Sequence, residues 1–331
     1  MIQERQLVRK IAQALAPAWA ASSRLKMGIG DDAAVISAAR RTEWVLSCDS
    51  FLEDVHFRVK THPPDSVGYK ALTRASSDLA AMGATPRYFL LTLALPTTRT
   101  GPWLEAFLKG MGRAARELGI TIIGGDTTKS RTLFISITVL GEISSGRALT
   151  RSGARPGDII YVSGKLGRAQ LGLELVLRGH AQDRQLRAPV QPHLYPKIRV
   201  ELGSWLAAHR IATSAMDLSD GLSTDLARLC TASQVGAKID ARKVPAVVIP
   251  AAAARKLGKS KLDPLQLALH TGEDYELLFT VSPRDVKKLH HAPGAATLTP
   301  IGEITRSRQL ILVAPDAREK PLKSQGWEPF R

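Results

Sequence analysis

Cysteine is nearly absent: Cys48 and Cys230 are the only two in 331 residues. So few exclude a disulfide-stapled framework and a thiolate metal cage, and they point to a reducing, cytoplasmic compartment. Long apolar runs are missing as well. The stretch Tyr88–Leu95, interrupted by Thr92, falls far short of the ~20 residues that cross a bilayer and reads as a buried strand. Acidic residues are outnumbered, 30 against 46 basic ones, which leaves a formal charge of +16. That excess is spread almost evenly and no basic run is longer than a pair, so the tail or stripe that tracks a nucleic-acid backbone is lacking. The charge reads as a solvated surface that attracts small anions, with no nucleic acid and no membrane as partner. Several standard catalytic signatures are also absent: no Gly-x-x-x-x-Gly-Lys-Ser/Thr loop, no His-Glu-x-x-His, no Gly-x-Ser-x-Gly elbow and no kinase catalytic loop.

What is present is an ordinary globular composition, 44% hydrophobic and 23% charged, long enough for two domains with a core each. The first twenty residues superficially imitate a secretion signal, with Arg5, Arg9 and Lys10 ahead of an apolar segment. Gln13 and Pro17 interrupt that segment, and Leu7, Val8, Ile11 and Leu15 share one helical face, so an amphipathic helix is expected. Short strands at Ala33–Ser37 and Trp44–Cys48 are expected to form a hairpin through a turn containing Arg40 and Arg41. Pro64-Asp65 opens a helix to about Ala81, strand 88–95 follows, Pro102 opens a helix to about Leu118, and 120–123 and 133–142 are strands. The polar, turn-rich Arg151–Asp158 places a domain boundary near 150, giving domains 1–150 and 151–331. The second half mixes helices near 167–178, 195–208 and 222–233 with strands near 159–163, 212–216, 277–281 and 310–313. The fold class is α/β with mixed sheets.

Carboxylates gather beside small and hydroxyl residues at expected strand ends or on helices. The clusters are Gly28-Ile29-Gly30-Asp31-Asp32, Ser47-Cys48-Asp49, Ser76-Ser77-Asp78, Gly124-Gly125-Asp126-Thr127-Thr128, Asp217-Leu218-Ser219-Asp220-Gly221 and Gly272-Glu273-Asp274. Singly, each has an ordinary explanation as an Asp-Gly turn or a helix cap. Together they repel one another unless cations fill the space, while glycine lets a ligand approach the backbone and hydroxyls take phosphate oxygens. The combination points to metal-bound phosphates. Gly164-Lys165-Leu166-Gly167 resembles half a dinucleotide fingerprint and reads as packing.

In order and over nearly the whole chain, Gly-Ile-Gly-Asp-Asp-Ala (28–33), Ser-Asp-Leu-Ala-Ala-Met-Gly-Ala (77–84), Gly-Gly-Asp-Thr-Thr (124–128), Gly-Arg-Ala-Leu-Thr-Arg-Ser-Gly-Ala (146–154), Asp-Leu-Ser-Asp-Gly-Leu (217–222) and Gly-Glu-Asp-Tyr-Glu-Leu (272–277) resemble thiamine-monophosphate kinases. The resemblance implies the two-domain fold of aminoimidazole ribonucleotide synthetase and transfer of the ATP γ-phosphate to thiamine monophosphate with several Mg²⁺ ions. It implies a homodimer through an N-terminal domain that binds ATP and Mg²⁺, and a C-terminal domain that completes the active-site cleft. It assigns metal binding to Asp32, Ser47, Asp49, Asp78, Asp126, Asp217 and Asp220, ATP contacts to Gly125, Asp126, Arg151 and Ser219, and substrate contacts to His56, Glu273 and Trp327. No side-chain nucleophile or base is expected, because a phosphate acceptor with second pKa ≈ 6 is already ionised at neutral pH. Taken singly, Arg151 also reads as a linker charge, His56 as a half-buried histidine and Trp327 as a core anchor. Cys48, Asp54 and Thr271 depart from the family's more usual Thr, Gly and Gly. Another synthetase of the superfamily and a non-catalytic polyanion binder are the alternatives.

Overall fold

A computed structural model of the chain describes residues 10–11, 13–15, 25–27, 35–36, 39–258 and 262–328. The chain divides into two compact units, one running to Leu79 and including Ala84–Gly146, the other comprising Ala80–Gly83 and everything from Arg147 onward.

In the first unit, residues 10–11 and 13–15 are helical, with Ile11 and Leu15 buried and Gln13 exposed, as the amphipathic pattern predicts. Strands β1 (Leu25–Met27) and β2 (Val35–Ile36) pair antiparallel. The main sheet has the order β3 (Thr42–Leu52), β6 (Phe134–Ser144), β4 (Thr85–Leu95), β5 (Thr121–Lys129), antiparallel except for the parallel β4–β5 pair. Among the described residues the expected hairpin of 33–37 with 44–48 is not formed: Val35 and Ile36 pair with Leu25–Met27, and all eleven residues of β3 from Thr42 to Leu52 pair with β6. Helices α1 (Pro64–Ala81) and α2 (Pro102–Leu118) begin where expected, each with proline in the first turn and a carboxylate, Asp65 or Glu105, near the positive end of the helix dipole. They meet backbone to backbone. A side chain at Gly68 would lie 1.9 Å from the Phe107 carbonyl oxygen, and one at Gly110 would lie 1.8 Å from that of Asp65. One face of the sheet buries Phe51, Phe89, Leu91, Leu93, Ile135, Ile137 and Val139, while Leu46, Cys48 and Ser50 on the other are exposed.

The second unit is built on a seven-stranded sheet ordered β13 (Glu319–Pro321), β12 (Leu310–Val313), β9 (Gly236–Asp240), β11 (Leu298–Thr305), β7 (Ile159–Ser163), β10 (Leu277–Val281), β8 (Ala212–Asp217). Only β12–β9 is parallel. Its core joins Ile160, Val162, Met216 and Leu278 of the sheet to Leu222, Leu226 and Leu229 of the helix Leu222–Ser233. A second cluster packs α3 (Arg168–Leu177) on α4 (Arg187–Leu194) through Leu171, Leu175, Val190 and Leu194. The helix expected over 195–208 starts only at Val200, as α5 (Val200–Ala208); Tyr195, which caps α4 with φ −138, has already left the helical region ahead of Pro196, where the helical conformation is disfavoured. The helix Leu222–Ser233 is α6, followed by α7 (Ala251–Leu257) and α8 (Pro264–His270). Among the described residues no helix is long and apolar enough to cross a membrane, and both cysteines are free, Cys230 buried and Cys48 exposed.

Candidate active site

Strand β3 and helix α1 lie against each other with matched repeats. Two strand residues advance about 6.6 Å and one helical turn of four residues about 6 Å, so side chains at i, i+2 of the strand face side chains at i, i+4 of the helix. Ser47 and Asp49 accordingly face Asp78 and Arg74. The Ser47 hydroxyl donates to Asp78 Oδ2, and Arg74 Nε donates to Asp49 Oδ2 at 3.1 Å. The Arg74 guanidinium also lies 5.3 Å from the centre of the Phe51 ring. Asp49 is thus held by a cation in this structure. Cys48, one residue along, points to the other face, where Thr138 Oγ1 donates to its sulfur at 3.4 Å. Its departure from the family pattern leaves the Ser47–Asp49 side untouched.

Strand β5 does not stop at 123 but carries Gly124-Gly125-Asp126-Thr127-Thr128 within it. A bulge leaves Ile123 unpaired, so Asp126 lies opposite Thr92, which is opposite Ser136 and, beyond it, Ser50. That row belongs to the exposed face. Asp49 belongs to the row of Ile137, Leu91 and Gly125 on the helix-covered face. The sheet therefore brings Ser47, Asp49 and Asp78 together and keeps Asp126 apart from them. Gly125 has φ +149, and a side chain there would lie 1.9 Å from the Leu91 carbonyl oxygen. His56 follows a tight turn in which Asp54 has φ +63, a conformation asparagine and aspartate adopt more readily than most residues and one that explains why this position tolerates Asp in place of Gly. The Leu52 amide donates to His56 Nδ1 at 3.0 Å, which puts the ring proton of the neutral form on Nε2. Asp32 and its Gly-Ile-Gly-Asp-Asp motif lie outside the described residues.

In the second unit three segments converge. The end of β8 carries Asp217 and the loop after it Ser219 and Asp220. The Ser219 carbonyl accepts from Glu273 N at 2.9 Å, the Leu218 carbonyl from Tyr275 N at 3.0 Å, and the Asp220 carbonyl from Trp327 N at 3.0 Å. Asp217 is buried at the strand end, and Trp327 is 51% exposed, so it is no core anchor. Asp225, on the first turn of α6, organises this loop. Its Oδ2 accepts from the amides of Asp220 and Gly221, both at 3.0 Å, and its Oδ1 accepts from Arg228 Nη1 at 3.0 Å, a group that also binds Asp220. Burial raises the Asp225 carboxyl to about 6 against the pull of those donors. Glu273 Oε2 lies 3.4 Å from Nδ1 of the fully buried His193. Arg151 is exposed, its carbonyl accepting from Ser233 Oγ at 2.8 Å. Thr271 caps α8 with φ −118 and its hydroxyl donates to the Leu267 carbonyl at 2.7 Å, so glycine is not needed there.

Sequence reading missed Arg74, Asp225 and Arg228. The first stands four residues before Asp78 on one helical face, and Asp225 four after Gly221 in a first turn, the position from which a carboxylate reaches back to free amides. Among the described residues, no three Asp, Glu, His or Cys side chains are grouped closely enough to cage a metal. Mg²⁺ ordinarily takes only one or two carboxylates and completes its shell with water and phosphate oxygens. The hard oxygens of Ser47, Asp49 and Asp78 fit that demand.

Residues 30–143 match the N-terminal domain of AIR synthase related proteins, and residues 155–314 match their C-terminal domain. The thiamine-monophosphate kinase of Synechococcus elongatus is 34% identical over 307 residues, which cover 91% of this chain and 91% of that one. The structure of thiamine-monophosphate kinase from Stenotrophomonas maltophilia K279a is similar with a TM-score of 0.79 at 34% identity, covering 92% of this chain and 95% of that one. That of AaThiL complexed with AMPPCP and TMP is similar with a TM-score of 0.77 at 30% identity, covering 99% and 97%.

Proposed function

The chain belongs to the thiamine-monophosphate kinase family, and from that premise we propose that it transfers the γ-phosphoryl group of ATP to thiamine monophosphate, giving ADP and thiamine diphosphate. The observation that carries this reading is the likeness, over nearly the full length of both chains, to AaThiL complexed with AMPPCP and TMP. The acceptor phosphate is largely dianionic at neutral pH, so the protein supplies no base; its task is to hold two polyanions in line.

Asp32, Ser47, Asp49, Asp78, Asp126, Asp217 and Asp220 are the ligands we assign to Mg²⁺. When bound, the ion neutralises phosphate charge that would otherwise keep donor and acceptor apart. The placement of Asp126 on the face opposite Ser47 and Asp49 supports more than one ion. Arg74 keeps Asp49 oriented meanwhile. Gly125, Asp126, Arg151 and Ser219 contact ATP: Gly125 offers bare backbone, Arg151 an exposed guanidinium. His56 donates through Nε2, Glu273 sets a carboxylate against the thiazolium charge, and Trp327 lends that cation an aromatic face. A homodimer through the exposed sheet face of the first unit is supported by Leu46, 61% exposed in the middle of β3. The two free cysteines suit the cytoplasm.

Incubating the purified protein with Mg-ATP and thiamine monophosphate tests the assignment. Thiamine diphosphate is expected, dependent on both substrates and on Mg²⁺; its absence under conditions where the protein is folded overturns the reading.

A further inference from the structure

The segment Gly272–Glu276 is strained. Glu273 has φ +67 and Tyr275 φ +50, left-handed conformations for two side-chain-bearing residues with only Asp274 between them. Such a conformation is costly for a residue with a side chain and persists only where the surroundings over-determine it. The surroundings here are unusually strong. On one side Asp274 spans the start of α3: its Oδ2 accepts from the Gly167 amide at 2.6 Å and its Oδ1 from the Ala169 amide at 2.9 Å. On the other, Glu276 is gripped by a two-pronged guanidinium, Arg199 Nε to Oε2 and Nη2 to Oε1, both at 2.6 Å. Ser163 Oγ donates to the same Oε2 at 2.6 Å and receives the Leu277 amide at 2.8 Å. Both carboxylates are held by the protein itself, while the half-buried Glu273, whose Oε2 lies 3.4 Å from His193 Nδ1, keeps part of its side chain accessible.

Resting on the reading of Glu273 as a substrate contact, we propose that Asp274 and the Arg199–Glu276 pair are positioning residues that hold the Glu273 carboxylate where thiamine monophosphate meets it. One anchor, Asp274, stands between the two strained residues and the other, Glu276, directly follows them, so loosening one lets Glu273 and Tyr275 relax toward negative φ and swings the Glu273 side chain away. Binding energy toward the thiamine substrate then falls while the ATP contacts of Gly125, Asp126 and Arg151, on other segments, are kept.

A double-mutant cycle on the full chain tests this, reading KM for each substrate with a thermal melt alongside. Glu273→Gln and Asp274→Asn are each expected to raise KM for thiamine monophosphate by ~5- to 10-fold and KM for ATP by less than ~2-fold, and the double variant to be no worse than Glu273→Gln alone, because both act through one carboxylate. Arg199→Lys keeps the charge but loses the fork, and is expected to move KM in the same direction by a smaller factor; it carries the cycle if Asp274→Asn does not fold. Multiplying effects, or equal rises in both KM values, overturn the positioning role alone. An unchanged KM in Glu273→Gln overturns the substrate contact and the inference with it.

Discussion

Trp327 combines a tethered backbone with a free ring: its amide is bonded to the Asp220 carbonyl at 3.0 Å while the side chain is 51% exposed. Trp327→Ala should therefore leave the melting temperature nearly unchanged. If the indole stacks on the thiazolium, KM for thiamine monophosphate should rise by ~2- to 30-fold, the range of a cation–π contact, with Phe restoring most of it and ATP unaffected; equal effects on both substrates would contradict the assignment. Asp274 gives a pH prediction. Burial pushes its carboxyl up to about 7 from the ordinary aspartate value, against the opposing pull of the two amides it accepts from. Between about pH 4 and pH 7 the folded state thus holds a proton the unfolded chain has lost, and stability falls as pH rises through that window. The stability difference between wild type and Asp274→Asn, from urea melts between pH 4 and pH 8, should fall across that window; a constant difference would contradict the shift. The carboxylates themselves were legible in the sequence from their Gly and Ser neighbours. Their partners were not: Arg74 meets Asp49 from 25 residues away and Arg199 meets Glu276 from 77, distances only the fold closes.

At the scale of elements, local chemistry and long-range pairing separate cleanly. Pro64-Asp65 and Pro102 announce helix starts, and the apolar run Tyr88–Leu95 announces a buried strand, because each signal is contained within a few residues. The sequence pattern of β5 ends at 123 because two glycines carry no strand preference; its continuation depends on β4 lying alongside. Strand β11 carries no strand pattern in its sequence for a like reason, with Pro300 and Gly302 inside it and a register shift between them. The β4–β5 pair makes a direct prediction. Gly125→Ala would drive a methyl into the Leu91 carbonyl, and should destabilise by on the order of 2–4 kcal/mol. Gly146→Ala is the control: it has φ +69 but nothing within 4 Å, and should cost about 1 kcal/mol. Equal losses in chemical denaturation would mean that β5 is not clamped against β4 at this point.

For the whole molecule, the +16 charge should speed the approach of two anionic substrates. The second-order rate should fall with salt only as steeply as a small anion requires, and a log–log slope beyond about −5 on DNA would indicate a polyanion binder instead. The fate of the γ-phosphate separates the kinase from a synthetase that consumes ATP to drive another bond. With ATP labelled at the γ-phosphate and thiamine monophosphate as acceptor, the account predicts that the label appears in the terminal phosphate of thiamine diphosphate, one for each ADP formed; label released as inorganic phosphate, with ADP formed and no labelled thiamine diphosphate, would contradict it.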